Sequence, residues 1–283
     1  MSETIEHSEP YVGKDLGEDP FICTPKMLGD FYQGLKVDPA RYKTPTFWDK
    51  PVSPAMMVSQ VDVGYDGARF ENAFGNLWIR QEWEFHSPMF PDHEYRRTST
   101  ILDIYEWRNR SVVKQEVSIL DGSKLVVRGV HHQSFMLDQT SGKVVLRDPK
   151  KKEGVRKFEV PEGQPVAPLD RSIDLEMCGV FFHGNESYHT DKKASEELGF
   201  EEVVVGGRMT MSLIGQMLEQ QFGQGYYEGG TLDIKFTNIV WPDDHVTAKG
   251  VTTGVENGKA QVRVWMEKDD GTVVVVGNAT ASV

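Results

Sequence analysis

Two long stretches of the chain alternate between apolar and polar positions, as half-buried strands do. Residues 96–120 read RRTSTILDIYEWRNRSVVKQEVSIL, and residues 246–268 read VTAKGVTTGVENGKAQVRVWMEK. Period-two alternation over such lengths predicts paired antiparallel strands. Each stretch runs into an Asp-Gly pair, Asp121-Gly122 and Asp270-Gly271, and then into a further β-rich run, KLVVRGVHHQSF and TVVVVGNATASV. Asp-Gly between such runs is a hairpin signal, because both residues tolerate positive φ. A different period governs residues 207–222, GRMTMSLIGQMLEQQF, where Met209, Leu213, Ile214, Met217 and Leu218 recur at helical spacing before Gly223. This predicts one apolar helix, with Met211 widening its stripe.

The pattern occurs twice. Residues 85–92, FHSPMFPD, match residues 236–243, FTNIVWPD, at an offset of 151, and the Asp-Gly turns match at 149. At the same offset Pro54-Ala55-Met56-Met57 stands where the long helix begins in the second half. A helix through VSQVDVGYDG is expected there, shortened or broken by Gly64 and Gly67. The expectation is α+β: two antiparallel sheets, each wrapping a central helix. Residues 46–137 and 171–283 form the two units, and residues 138–170, rich in Gly, Pro and charge, form a linker. Residues 1–45 show no repeat partner and are expected to lie across the surface, with a short helix around Pro25–Gly34.

Composition narrows the partners. A formal charge of -12 disfavours a nucleic-acid surface, which needs clustered Lys and Arg. The basic run Lys150-Lys151-Lys152 reads as a solvated face in the linker. No run approaches a membrane span, and the acidic start MSETIEHSEP lacks the apolar core of a secretory signal. A soluble cytoplasmic protein is expected. Cys23 and Cys178 match no metal or redox spacing.

The candidate chemistry lies at residues 184–191, GNESYHTD, with Gly206-Gly207 following His189 at the opening of the long helix. His189 suits proton transfer, since an ordinary imidazole titrates near neutrality. Asp191, followed by KKASEELGF, reads as a helix N-cap. His189-Thr190-Asp191 also spells the H-x-D of some iron sites, but no third ligand stands out, and adjacent His131 and His132 would face opposite ways on a strand.

Helix-plus-sheet in tandem is the double hotdog arrangement. The segment from His189 to Ile214 resembles the MaoC-like family of (R)-specific enoyl-CoA hydratases and 3-hydroxyacyl dehydratases, whose motif is G-D-x-N-P-[LIV]-H-x5-[AS] with H-G-M further on. His189 falls on the motif histidine, Ser195 on the small residue and Gly207 on the later glycine. Gly206 replaces the second histidine, and Gly184 stands at the place of the catalytic aspartate. The resemblance implies a hydro-lyase acting on an enoyl or 3-hydroxyacyl thioester, with coenzyme A as part of the substrate and no metal or other cofactor. It implies a first hotdog that is not catalytic. His189 would be the acid/base, with Glu186 or Asn185 as partner, or neither. The N–H of Gly207 would meet the thioester oxygen.

Gly206, Arg208, His183 and Met211 are the further candidates for contact with substrate. Arg208 could meet a carboxylate or phosphate, and Met211 could wall an acyl channel or simply fill core. Two other readings stand beside the hydratase: a silent acyl-thioester-binding or assembly protein, and a hotdog thioesterase using Asp191, Glu196 or Glu197. The chain leaves monomer and homodimer open.

Overall fold

A computed structural model describes residues 9–60, 66–145 and 158–283. The basic run Lys150–Lys152 and residues 61–65 of the expected first-half helix lie outside the described residues.

The elements run in the order β1 (Asp15–Ile22), α1 (Pro25–Gly34), α2 (Ala40–Lys43), β2 (Leu77–Phe85), β3 (Glu94–Trp107), β4 (Arg110–Asp121) and β5 (Lys124–Met136). The second half follows with β6 (Gln164–Ser172), α3 (Leu175–Phe181), α4 (Lys192–Glu197), α5 (Gly207–Phe222), α6 (Gln224–Tyr227), β7 (Thr231–Phe236), β8 (His245–Glu256), β9 (Lys259–Lys268) and β10 (Val273–Ser282). The ten strands form one sheet in the order β1-β3-β4-β5-β2-β7-β10-β9-β8-β6. Each half repeats the other in reverse, so the two expected sheets are the halves of a single antiparallel sheet joined where β2 pairs with β7. Across that seam Arg80 donates two hydrogen bonds to Asp233, at 2.8 and 2.7 Å.

Two boundaries drawn from the sequence are corrected. Of the expected extension over residues 1–45, Asp15–Ile22 does not lie loose on the surface: it is β1, the edge strand of the first half, paired with β3 as β6 is paired with β8. Residues 138–170 are not linker throughout, since β6 begins at Gln164. Both edge strands escaped sequence comparison because an edge strand has one neighbour and weak alternation; DLGEDPFI and QPVAPLDRS share almost no side chains. Each leads into a short helix, and α1 and α3 pack against each other with Phe31 and Phe181 at 5.8 Å.

The expected helix at Pro25–Gly34 is α1, capped by Thr24 and opened by Pro25. The repeated Pro-Asp loops also agree: Asp92 and Asp243 both adopt positive φ, at 56° and 70°. Asp tolerates this conformation better than most residues.

The halves differ at their centres. In the second half α5 runs from Gly207 to Phe222, with Met209 through Glu219 buried. At the corresponding place in the first half, between α2 and β2, the described residues hold 3₁₀ turns at Ala55–Gln60 and Asp66–Ala68. The first turn crosses α5 at Gly215, where an added Cβ would lie 2.1 Å from Met56 Cγ. One apolar core spans the two halves, including Met56, Met57, Leu213, Ile214, Val264 and Val275. Burying each of these side chains stabilises the fold by about 1.5–3 kcal/mol before entropy is counted. No helix among the described residues is long and apolar enough to cross a membrane.

Candidate active site

Helix α3 starts on Asp174, whose carboxylate accepts from Met177 N–H at 2.7 Å. It ends by turning left-handed at His183 and Gly184, with φ of 63° and 75°. Gly184 N–H donates back to Gly179 O at 2.9 Å, closing the helix end. Where the resemblance places an acid, the backbone is left-handed, a conformation that glycine adopts without strain. Asn185 follows directly. Thr190 Oγ1 donates to Asn185 O at 2.7 Å and accepts from Ser187 N–H at 3.0 Å, which fixes the tight loop around Ser187 and Tyr188.

His189 emerges from this loop with its ring packed against Phe182 and Tyr188, at centroid separations of 4.7 and 3.8 Å. Its Nδ1 lies 2.8 Å from the carbonyl of Val204. A carbonyl can only accept, so Nδ1 carries hydrogen and Nε2 is the basic atom of the neutral ring. The buried segment that holds Val204 leads into α5, whose first N–H groups have no acceptor within the helix.

These parts meet at a cavity of about 1150 Å³. His189, Asn185, Gly207 and Arg208 line it. Trp78 and Phe236 flank Gly207, where an added Cβ would lie 3.4 and 3.1 Å from their rings. Glycine keeps that helix start open to a ligand atom.

The other sequence candidates lie elsewhere. Glu186 is exposed and does not line the cavity. His183 is held away by Asp30 at 2.6 Å and Gln60 at 3.3 Å, tying the end of α3 to α1 and to the first-half 3₁₀ turn. Gly206 is the N-cap residue of α5, and an added Cβ there would strike the Phe182 ring at 2.3 Å. Its smallness serves packing. Met211 is core: its sulfur accepts the Trp83 indole N–H at 3.1 Å. Asp191 caps α4 by accepting from Ala194 N–H at 2.8 Å, which turns its carboxylate toward that helix. Among the described residues no group of three His, Cys, Asp or Glu side chains is arranged to hold a metal.

Sequence reading missed the contribution of the first half. Trp78 on β2 and His131 and Gln133 on β5 line the same cavity. Alternation did separate the histidine pair: His131 faces the cavity, while His132 meets Tyr105 at 3.0 Å and Glu82 at 3.2 Å. No local signal marks the wall, because it exists only once β2 is seated beside β7. The opposite rim is charged. Lys268 pairs with Asp244 at 2.5 Å, and His245 lies between Asp269 at 2.7 Å and Asp170 at 3.3 Å. Hydrogen bonds to Asp269 and then Asp170 raise the His245 pKa above its ordinary value.

The architecture is that of a double hotdog. A conserved hypothetical protein of Mycobacterium tuberculosis described as having this fold superposes with a TM-score of 0.63 at 10% identity, covering 96% of each chain. A MaoC-like dehydratase from Phytophthora capsici gives a TM-score of 0.69 at 17% identity, covering 94% of this chain and 95% of that one. Full-length peroxisomal multifunctional enzyme type 2 from Drosophila melanogaster gives 0.68 at 15% identity, over 94% of this chain and 48% of that one. Residues 184–274, from the candidate loop to the start of β10, match the family described as MaoC like domain. No curated protein matches the sequence.

Proposed function

We propose that the protein is a hydratase/dehydratase acting on an enoyl or 3-hydroxyacyl thioester, with coenzyme A as the natural carrier. The observation that carries this reading is the convergence on one cavity of His189, Asn185 and the start of α5, all within the segment that matches the MaoC like domain.

In the hydration direction, the thioester oxygen accepts from the Gly207 N–H, where the helix dipole also favours developing negative charge. His189 Nε2 removes a proton from water as the water oxygen bonds to the β-carbon. The α-carbon of the resulting enolate then takes the proton back from the imidazolium. One oxygen and two hydrogens are gained, and His189 ends neutral. Asn185 orients the water through its amide without titrating. The Val204 carbonyl holds the imidazole in the required tautomer and stabilises its charged form. The pairing of His189 with an amide rather than a carboxylate predicts a slower enzyme than one with two titrating groups.

The test is direct: purified protein is mixed with crotonyl-CoA and longer enoyl thioesters, and loss of the conjugated thioester is followed together with free thiol. Hydration that disappears in His189→Ala supports the reading. Release of thiol without hydration would instead indicate a thioesterase. Binding of these thioesters with no conversion of any would indicate a silent binding protein.

A further inference from the structure

Two aromatic walls bracket the start of α5. On the side of the candidate loop, Phe182 packs against Gly206, and His189 stacks on that ring at 4.7 Å with 17° between planes. On the first-half side, Trp78 and Phe236 lie against Gly207, their ring centroids 5.6 Å apart. His131 stacks on Trp78 at 4.2 Å with 4° between planes, which fixes the indole as part of a flat plate. The one polar atom of the indole is already used, because Nε1 donates to Arg80 O at 2.9 Å within the same strand. Trp78 and Phe236 thus offer the cavity ring carbon alone, and both are only half-buried where they line it.

A thioester whose oxygen rests on the Gly207 N–H carries its acyl group between these walls. They would cover an alkyl chain as they would any apolar group. A flat ring gains more, because aromatic pairs contribute about two- to tenfold in affinity beyond the area they bury. We propose that the acyl group is aromatic: the substrate is a 3-aryl-3-hydroxypropanoyl thioester, the product is the arylacrylyl thioester, and Trp78 and Phe236 are the specificity-determining residues. This inference rests on the hydratase/dehydratase reading above. Conjugation with the ring stabilises the alkene, so dehydration is the favoured direction. His189 Nε2 takes the α-proton and returns it to the departing hydroxyl; the C=C bond forms, one water leaves, and the imidazole ends neutral.

The experiment titrates the full chain calorimetrically with two ligands that cannot be dehydrated, 3-phenylpropanoyl-CoA and 3-cyclohexylpropanoyl-CoA. They share one carbon skeleton and differ in the flat ring. The phenyl ligand should bind about fivefold more tightly. In Trp78→Leu that ratio should fall to about one, and Phe236→Leu should lower it as well, which keeps the test open if the first variant folds poorly. In parallel, 3-hydroxy-3-phenylpropanoyl-CoA is followed for appearance of the conjugated product, and crotonyl-CoA for hydration. A phenyl preference in binding that the variants lose supports the aromatic class even if no thioester is turned over, an outcome that would defeat only the hydratase reading. Equal binding of the two ligands by a protein that hydrates crotonyl-CoA overturns the aromatic class and leaves the hydratase reading standing. A ratio unchanged in both variants, or binding of neither ligand, overturns it as well.

Discussion

The Nδ1 of His189 lies 2.8 Å from the carbonyl oxygen of Val204, fifteen residues further along the chain and just before α5. This one bond joins the candidate loop to the start of the central helix and decides which imidazole nitrogen is basic. His189→Ala is expected to lower kcat/KM for an enoyl thioester by about 10²–10⁴-fold, the usual range for a proton-transfer group. Circular dichroism should be unchanged. Retained turnover would remove His189 from the reaction.

Asn185 and Glu186 are neighbours that are both exposed, and only Asn185 lines the cavity. Asn185→Asp should place a titrating carboxylate beside the substrate and raise kcat by about tenfold or more, with a new acidic limb in the pH–rate profile. Glu186→Gln should leave kcat and KM as they were. A large loss in the latter would show that the exposed carboxylate reaches the site.

Glu219 sits at the far end of α5, accepting from Tyr42 Oη at 2.7 Å and from Ala55 N–H at 2.8 Å. Burial raises its pKa from 4.5 to about 7, against the opposing effect of the hydrogen bonds from Tyr42, Ala55 and Tyr227. The folded state therefore holds this proton more tightly than the unfolded chain. Its contribution is full below pH 4.5, declines as pH rises through about 7, and is lost above that. The total amounts to about 3 kcal/mol. Urea unfolding across this window should show stability attributable to Glu219 falling with pH, and Glu219→Gln should remove that part of the slope. An identical slope in the variant would mean that other groups carry it.

At Gly215, α5 packs directly against Met56 of the first half. Gly215→Ala places a methyl group against Met56 Cγ and Sδ, with Met56 itself fully buried. Overpacking of this kind costs about 1–3 kcal/mol, more than alanine returns in helix propensity. The urea midpoint should drop without a change in slope. Equal or greater stability would show that Met56 swings aside at no cost.

The long interior strands, the principal helix and the tandem plan were legible in the residues because each rests on local periodicity. Strands β3 to β5 and β8 to β10 show period two, α5 shows helical spacing, and the loops at Asp92 and Asp243 share a left-handed backbone. A signal in the second half went unused: Asn257-Gly258, both with positive φ, closes the β8–β9 hairpin. The edge strands were hidden because a strand with one neighbour and one wet face constrains few side chains. Of the site, His189 and Gly207 were legible from their spacing, whereas His183 and Glu186, just as close in sequence, point elsewhere.

The sequence by itself determined the elements, their duplication and the pairing of a histidine loop with a glycine-opened helix, because these depend on residues close together in the chain. Tertiary structure alone decided which side chains share the cavity. After the left-handed turn at Gly184 the exposed Asn185 lines the cavity while Glu186 does not, and the β2–β7 seam brings Trp78, His131 and Gln133 to a loop more than fifty residues away. A reversal of backbone hand or the pairing of two distant strands fixes direction in space, and no periodicity along the chain encodes that direction.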